Sequence, residues 1–83
     1  MLGIYKQVKE ECDRQDFKWG VRSQHPLVWM SILTEEIGEV SQEINNSGFD
    51  SDRLGDNYKT ELVQCAAVIF QMIKDYESSR QTD

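Results

Sequence analysis

A single proline, a single histidine, two cysteines and five glycines in 83 residues leave this chain poor in the residues that build turns and reactive centres. So few breakers, set among abundant Glu, Gln, Lys and Asp, exclude a many-stranded architecture in favour of helices. No stretch approaches the ~20 apolar residues of a membrane span and no export signal is visible, so Cys12 and Cys65 are expected as reduced core thiols in a cytoplasmic protein. No Ser, Cys or His constellation suggests a covalent catalytic route. Cations are scarce as well, with 9 Lys and Arg against 15 Asp and Glu and a net charge of −6. That balance argues against binding to nucleic-acid polymers or membranes. A polyanionic small molecule would need a metal ion to bridge it to the protein.

What the chain has in quantity is glutamate, and several glutamates fall where a soluble helix should be apolar. On a wheel for residues 27–45, Trp29, Leu33, Ile37, Val40 and Ile44 form one stripe. Glu36 sits at its edge, between Trp29 and Ile32, and Glu39 lies on the other side of Ile32. Glu43 shares that edge a turn or more away, and Glu35 drifts toward the polar side. On a wheel for residues 57–76, Glu61 falls between Val68 and Met72, inside an arc that also holds Leu62, Cys65, Ile69, Ile73 and Tyr76, with Gln64 just outside. Desolvated like charges are costly unless a cation is near. Two such helices face to face would gather Glu36, Glu39, Glu61 and Gln64 round one point, where a hard divalent ion is the natural occupant.

The rest of the chain punctuates three helices in a single domain, residues 1–83. The first is expected over Leu2–Asp16, with Ile4, Val8 and Cys12 on one stripe. Gly20 to Pro26 reads as a turn, Pro26 suits the first turn of the second helix, and Gly48 or an asparagine suits its left-handed end. Phe49 to Gly55 reads as a short polar loop, Asp56 as the cap of the third helix, and the chain is expected to fray from Ser78. Val63, Ala67 and Phe70 lie off the main arc of that helix and predict a second contact surface, with Cys65, Ala66 and Ala67 small enough for close approach. So short a chain has a small core of its own, and a homodimer, with a homotetramer as the larger possibility, is expected to complete it.

Glu35-Glu36-Ile-Gly-Glu39 followed by Glu61-Leu-Val-Gln64, with Phe17-Lys18-Trp19-Gly20, Gln24-His25-Pro26 and Leu-Val-Trp-Met-Ser-Ile-Leu upstream, resembles the MazG-like all-α nucleoside triphosphate pyrophosphohydrolases over about residues 17–73. The resemblance implies an all-α chain whose dimer forms a four-helix-bundle-like core. It also implies a Mg²⁺- or Mn²⁺-dependent reaction that splits a nucleoside or deoxynucleoside triphosphate into monophosphate and pyrophosphate. Glu36, Glu39, Glu61 and Gln64 would be the metal ligands and Glu35 or Glu36 the catalytic base. Gln64 stands where the family pattern has aspartate. Lys18, Arg22, Arg53 and Lys59 are the cations nearest the cluster in sequence, and Trp19 and His25 fall in the segment matching the nucleobase side. Trp29 reads as core.

Two other functions stay open on the residues. Asp50, Asp52, Gly55 and Glu61 occupy positions 1, 3, 6 and 12 of an EF-hand-like calcium loop, although Leu54 fills position 5. A catalytically inactive helical interaction module is the other reading, favoured by the charge that Gln64 removes.

Overall fold

The computed structural model describes residues 1–21, 23–48 and 50–80. It contains α1 (Leu2–Trp19), α2 (Pro26–Asn46), a 3-10 turn (Ser51–Arg53) and α3 (Asp56–Ser79). The all-α expectation holds: there is no strand among the described residues. None of the described helices is long and apolar enough to cross a membrane. Arg22, Phe49 and residues 81–83 lie outside the described residues.

Each boundary has a local cause. α1 continues past Asp16 because nothing from Phe17 to Trp19 breaks it. Gly20, at φ 82°, is the first residue to leave the helix, and its N–H still bonds to the Asp16 carbonyl at 2.7 Å. Lys18 and Trp19 therefore stand on α1, beyond its expected end at Asp16. α2 starts at Pro26, whose missing N–H costs nothing there, and His25 caps it by accepting the Leu27 N–H on Nδ1 at 3.1 Å. It ends with Gly48 in the left-handed conformation, φ 67°. The following turn opens on an Asp50 carboxylate that accepts the Asp52 N–H at 3.0 Å. At α3 the expectation is corrected: Gly55 holds the cap position and Asp56 is the first helical residue, with no side-chain capping bond. An acid one place inside the helix still faces the positive end of its dipole. α3 also runs through Ser79, beyond the expected fraying point at Ser78.

α3 is the central helix, packed by α2 on one side and α1 on the other. Bonds between Trp29 and Asp75 at one end and between the 36 and 64 positions midway make α2 and α3 antiparallel. Cys12 meeting Ala67, and Asp16 meeting Gln71, make α1 and α3 parallel. Val8, Leu33, Ala67 and Val68 are the buried apolar side chains among the described residues.

The faces of α3 differ from the wheel reading. Ala67 is 0 % exposed, and the Cys12 thiol donates to its carbonyl at 3.7 Å, so α1 covers that part of the expected second surface, while Phe70 stays exposed. Of the arc expected to be core, Val68 is buried and Cys65 and Met72 are half-buried, whereas Leu62, Ile69, Ile73 and Tyr76 are exposed, Ile73 by 52 %. On α1 only Val8 of the expected stripe is buried, while Ile4 is exposed; on α2, Leu33 is buried and Ile37 is exposed. A wheel identifies apolar faces, but which neighbour covers each one is decided by the loops.

The linker from α1 to α2 is tied down by one carboxylate. Asp75 accepts hydrogen bonds from the Ser23 hydroxyl at 2.7 Å, the Gln24 N–H at 2.9 Å and the Trp29 indole N–H at 2.7 Å. The indole bond, then the Gln24 and Ser23 bonds, hold its carboxyl below the ordinary value of 3.8. A group so lowered stabilises the fold above its unfolded pKa, and that stabilisation is lost as the pH falls through the folded value. Asp75→Ala should lower Tm by roughly 5–10 °C at neutral pH, because three donors lose their acceptor. The gap from the unmodified protein should narrow as the pH falls below about 4. Calorimetric melting over pH 2.5–7 checks this, and a gap independent of pH would assign the effect to packing alone.

Candidate metal centre and adjoining cavity

Midway along the α2–α3 pair, the antiparallel register brings Glu36 and Glu39 of α2 against Glu61 of α3. One carboxylate oxygen from each lies within 4.8 Å of the other two. Oxygens on opposite sides of one hard cation, bonded at about 2.1–2.4 Å, stand about 4–5 Å apart, so spacing and donor chemistry both fit such an ion. Glu36 and Glu61 are half-buried and Glu39 is exposed. Glu43, one turn on, is half-buried and adds to the negative field at Glu61.

That crowding appears in the protonation of the cluster. Burial, a hydrogen bond with Glu39 and the charges of Glu39, Glu36 and Glu43 push the Glu61 carboxyl up to about 7. Burial, then Glu39, Glu11 and Glu35, raises Glu36, against a smaller lowering by Arg14. Gln64 sits between the two half-buried acids. With its nitrogen toward them, its amide donates to Glu61 Oε2 at 2.8 Å and to Glu36 Oε2 at 3.0 Å. Turned over, the same amide offers Oε1 to the same point. One side chain can thus satisfy the cluster without a cation or ligate one. Burial and the three carboxylates raise the Cys65 thiol, and Cys12 is likewise raised, chiefly by burial; both are free cysteines.

Glu36 also faces a cavity of about 430 Å³ bounded by the end of α1, the linker, the start of α2 and the second half of α3. Its walls include Glu35, Trp19, Trp29, Gln71, Lys74 and Asp75. This volume is of the size that holds small organic ligands. Glu35, exposed as its wheel position suggests, nevertheless lines the cavity beside Glu36. Lys18 lies over the Trp19 ring at 5.2 Å, a cation–π contact at the rim.

Other sequence candidates stand elsewhere. Lys59 lines a second cavity, of about 550 Å³, between α1 and the start of α3, with Arg14, Glu10 and Asp56. Arg53 is exposed on the 3-10 turn, and His25 is committed through Nδ1 to capping α2. Arg22 lies outside the described residues. Asp50 and Asp52 join no three-residue ligand cluster among the described residues, and Glu61 turns to α2 instead.

Sequence proximity passed over two cations that the fold brings to this region. Lys74 lines the main cavity and lies 3.8 Å from Asp16, and Arg14 forms a two-bond pair with Glu11 at 2.9 and 2.7 Å while acting on Glu36. Gln71 follows Ala67 at helical spacing and shares its inward face, and Lys74, a turn further on, stands exposed at the cavity. The acid Asp75 near the C-terminal end of α3, where the dipole disfavours it, was the readable sign of a tether.

The raised Glu61 carboxyl has a definite consequence in metal-free solution. An acid whose folded pKa is raised stabilises the fold below its unfolded value, near 4.5, and loses that contribution as the pH rises through about 7. In chelating buffer, Glu61→Gln should therefore raise Tm at pH 8 by several degrees and leave it nearly unchanged at pH 5. Equal shifts at both pH values would show that the carboxylates do not repel one another. Comparisons with protein-family models, with curated proteins and with solved structures find no match to this chain. Its functional reading therefore rests on the site geometry and on the motif resemblance.

Proposed function

We propose that the protein is a divalent-metal-dependent nucleotide pyrophosphohydrolase that splits nucleoside or deoxynucleoside triphosphates into monophosphate and pyrophosphate. One observation carries the reading: a three-carboxylate cluster of metal-ligand spacing shares Glu36 with a cavity walled by two tryptophans. Glu36, Glu39, Glu61 and the Gln64 oxygen would hold Mg²⁺ or Mn²⁺. When bound, such an ion supplies charge neutralisation for the phosphates and makes a water more acidic. Glu35, beside Glu36 and free in the cavity, takes the proton that the attacking water loses. The water oxygen bonds to phosphorus, the α–β anhydride bond breaks, and pyrophosphate separates from the monophosphate. Trp19 and Trp29 offer ring faces to the base, and Lys74 contributes a cation for the phosphates.

The same reading includes a homodimer whose four-helix core is built from α2 and α3 of both chains. Its support is the exposed apolar stripe of Leu62, Ile69, Ile73 and Tyr76 beside Met30 and Ile37 of α2. Ile73→Asp would set an unpaired charge in that interface and should leave only monomer in sedimentation. An unmodified chain that sediments as a stable folded monomer sinks the dimer.

The activity is tested by a screen of nucleoside triphosphates with pyrophosphate detection. Glu39→Gln and Glu61→Gln should each lower turnover by at least about 100-fold and remove the rise in Tm given by Mg²⁺. Gln64→Asp, with one more negative charge, should bind Mg²⁺ about tenfold tighter and melt lower in chelating buffer. If no triphosphate is turned over and Mg²⁺ leaves every Tm unchanged, the inactive interaction module is the better reading. Stabilisation by Ca²⁺ that is lost in Asp50→Ala and kept in Glu39→Gln would favour the EF-hand-like one.

A further inference from the structure

We propose that Gln71 selects the base: its amide oxygen, fixed in the cavity wall, favours cytosine and adenine over uracil, thymine and hypoxanthine, which carry a carbonyl in place of the exocyclic amine. The proposal rests on reading the cavity as a nucleotide site and names the substrates it would take.

Gln71 is 6 % exposed, and its orientation is set by α1. Its amide nitrogen donates to the Cys12 carbonyl at 3.3 Å and to Asp16 Oδ1 at 3.0 Å. Turning the amide over would set its oxygen against two acceptors, so the nitrogen stays on the α1 side and Oε1 is what remains. No described residue donates to Oε1, and no buried side-chain polar atom among the described residues lacks a partner, so this oxygen is open to the cavity that Gln71 lines. Two carboxylates stand in the same wall. Asp16 and Asp75 line the same cavity, and Asp75 is already filled by three donors from its own chain. An amine placed here gains a fixed acceptor, whereas a carbonyl meets one with no hydrogen between them. The tryptophan faces stack on any base and so leave the choice to the edge contact. Sites built to hydrogen-bond one group reject the analogue that lacks it far more strongly than shape alone does.

The test follows the indole N–H signals of Trp19 and Trp29 by NMR while the unmodified protein is titrated with CMP, AMP, UMP and IMP. Pyrimidin-2-one and purine ribonucleoside monophosphates, in which hydrogen replaces the amine, complete the set. CMP and AMP should bind about tenfold or more tighter than their oxo and deaminated counterparts. Gln71→Met, similar in volume and without the acceptor, should erase the difference while the indole spectrum stays that of the folded chain. Equal binding of all six, a reversed order, or indole signals unmoved by every ligand would overturn the proposal. Triphosphate hydrolysis indifferent to the base would overturn it while leaving the pyrophosphohydrolase reading intact. Amine-dependent binding without hydrolysis of any triphosphate would do the reverse.

Discussion

Three carboxylate oxygens held within 4.8 Å of one another are the constraint to which the α2–α3 pair must answer. Like charges at that separation repel, and half-burial of Glu36 and Glu61 removes much of the water that would screen them. Left alone, they would drive the two helices apart at their middle. The pair resists in two ways. Protonation of Glu61, whose pKa stands at about 7, removes one charge near neutrality, and the Gln64 amide lies between Glu61 and Glu36 as a donor to both. At the other end Asp75 closes the pair by taking the Trp29 indole N–H and both anchor points of the linker. A clasp at one end thus holds a repelling cluster at the middle, and the cavity lies in the space between them.

The same clasp explains why the cavity has two chemistries. Its helical walls come from three elements with different duties: α1 contributes Asp16 and Trp19, α2 the glutamates and Trp29, α3 Gln71 and Lys74. α1 touches the cluster only through charge, from Glu11 and Arg14, and its packing is spent on α3, where Ala67 lets it come close. Gln71 is bonded to α1 and Asp75 to the linker, so the acceptors of the cavity are also held by elements other than the pair that carries Glu36, Glu39 and Glu61.

The cluster was legible in the sequence for a simple reason: a charged residue on an apolar arc is out of place, and Glu36 and Glu61 sat on two such arcs. The all-helical class was legible from the scarcity of breakers, and the end of α2 from Gly48. What the sequence did not disclose is pairing across space. Leu62, Ile69, Ile73 and Tyr76 look like core on a wheel and Ala67 like part of a second surface, yet Ala67 is buried within the chain and the other four are exposed. Ranking cations by distance along the chain favoured Lys59 and passed over Lys74, because one turn of helix separates residues that a list sets side by side, and folding joins others from opposite ends. His25 and Asp56 show the same limit at shorter range. Either could cap a helix by its chemistry, and backbone geometry at Gly55 and Pro26 decided which did.

Glutamine at position 64 sets a compromise between folding and ligand affinity. A fourth carboxylate there would strengthen the field that attracts a dication, and in its absence would add another unpaired charge to a cluster already pushed toward protonation. The amide costs less when no cation is present, because its two N–H groups satisfy Glu61 and Glu36, and it keeps an oxygen that can be turned inward. The exchange would favour folding without a cation, particularly in a chain with as few buried apolar side chains as Val8, Leu33, Ala67 and Val68 supply. In a larger core the repulsion of four acids would be a small fraction of the stability. Here it would be a large one, and the glutamine is the residue type that lessens it without removing oxygen from the site.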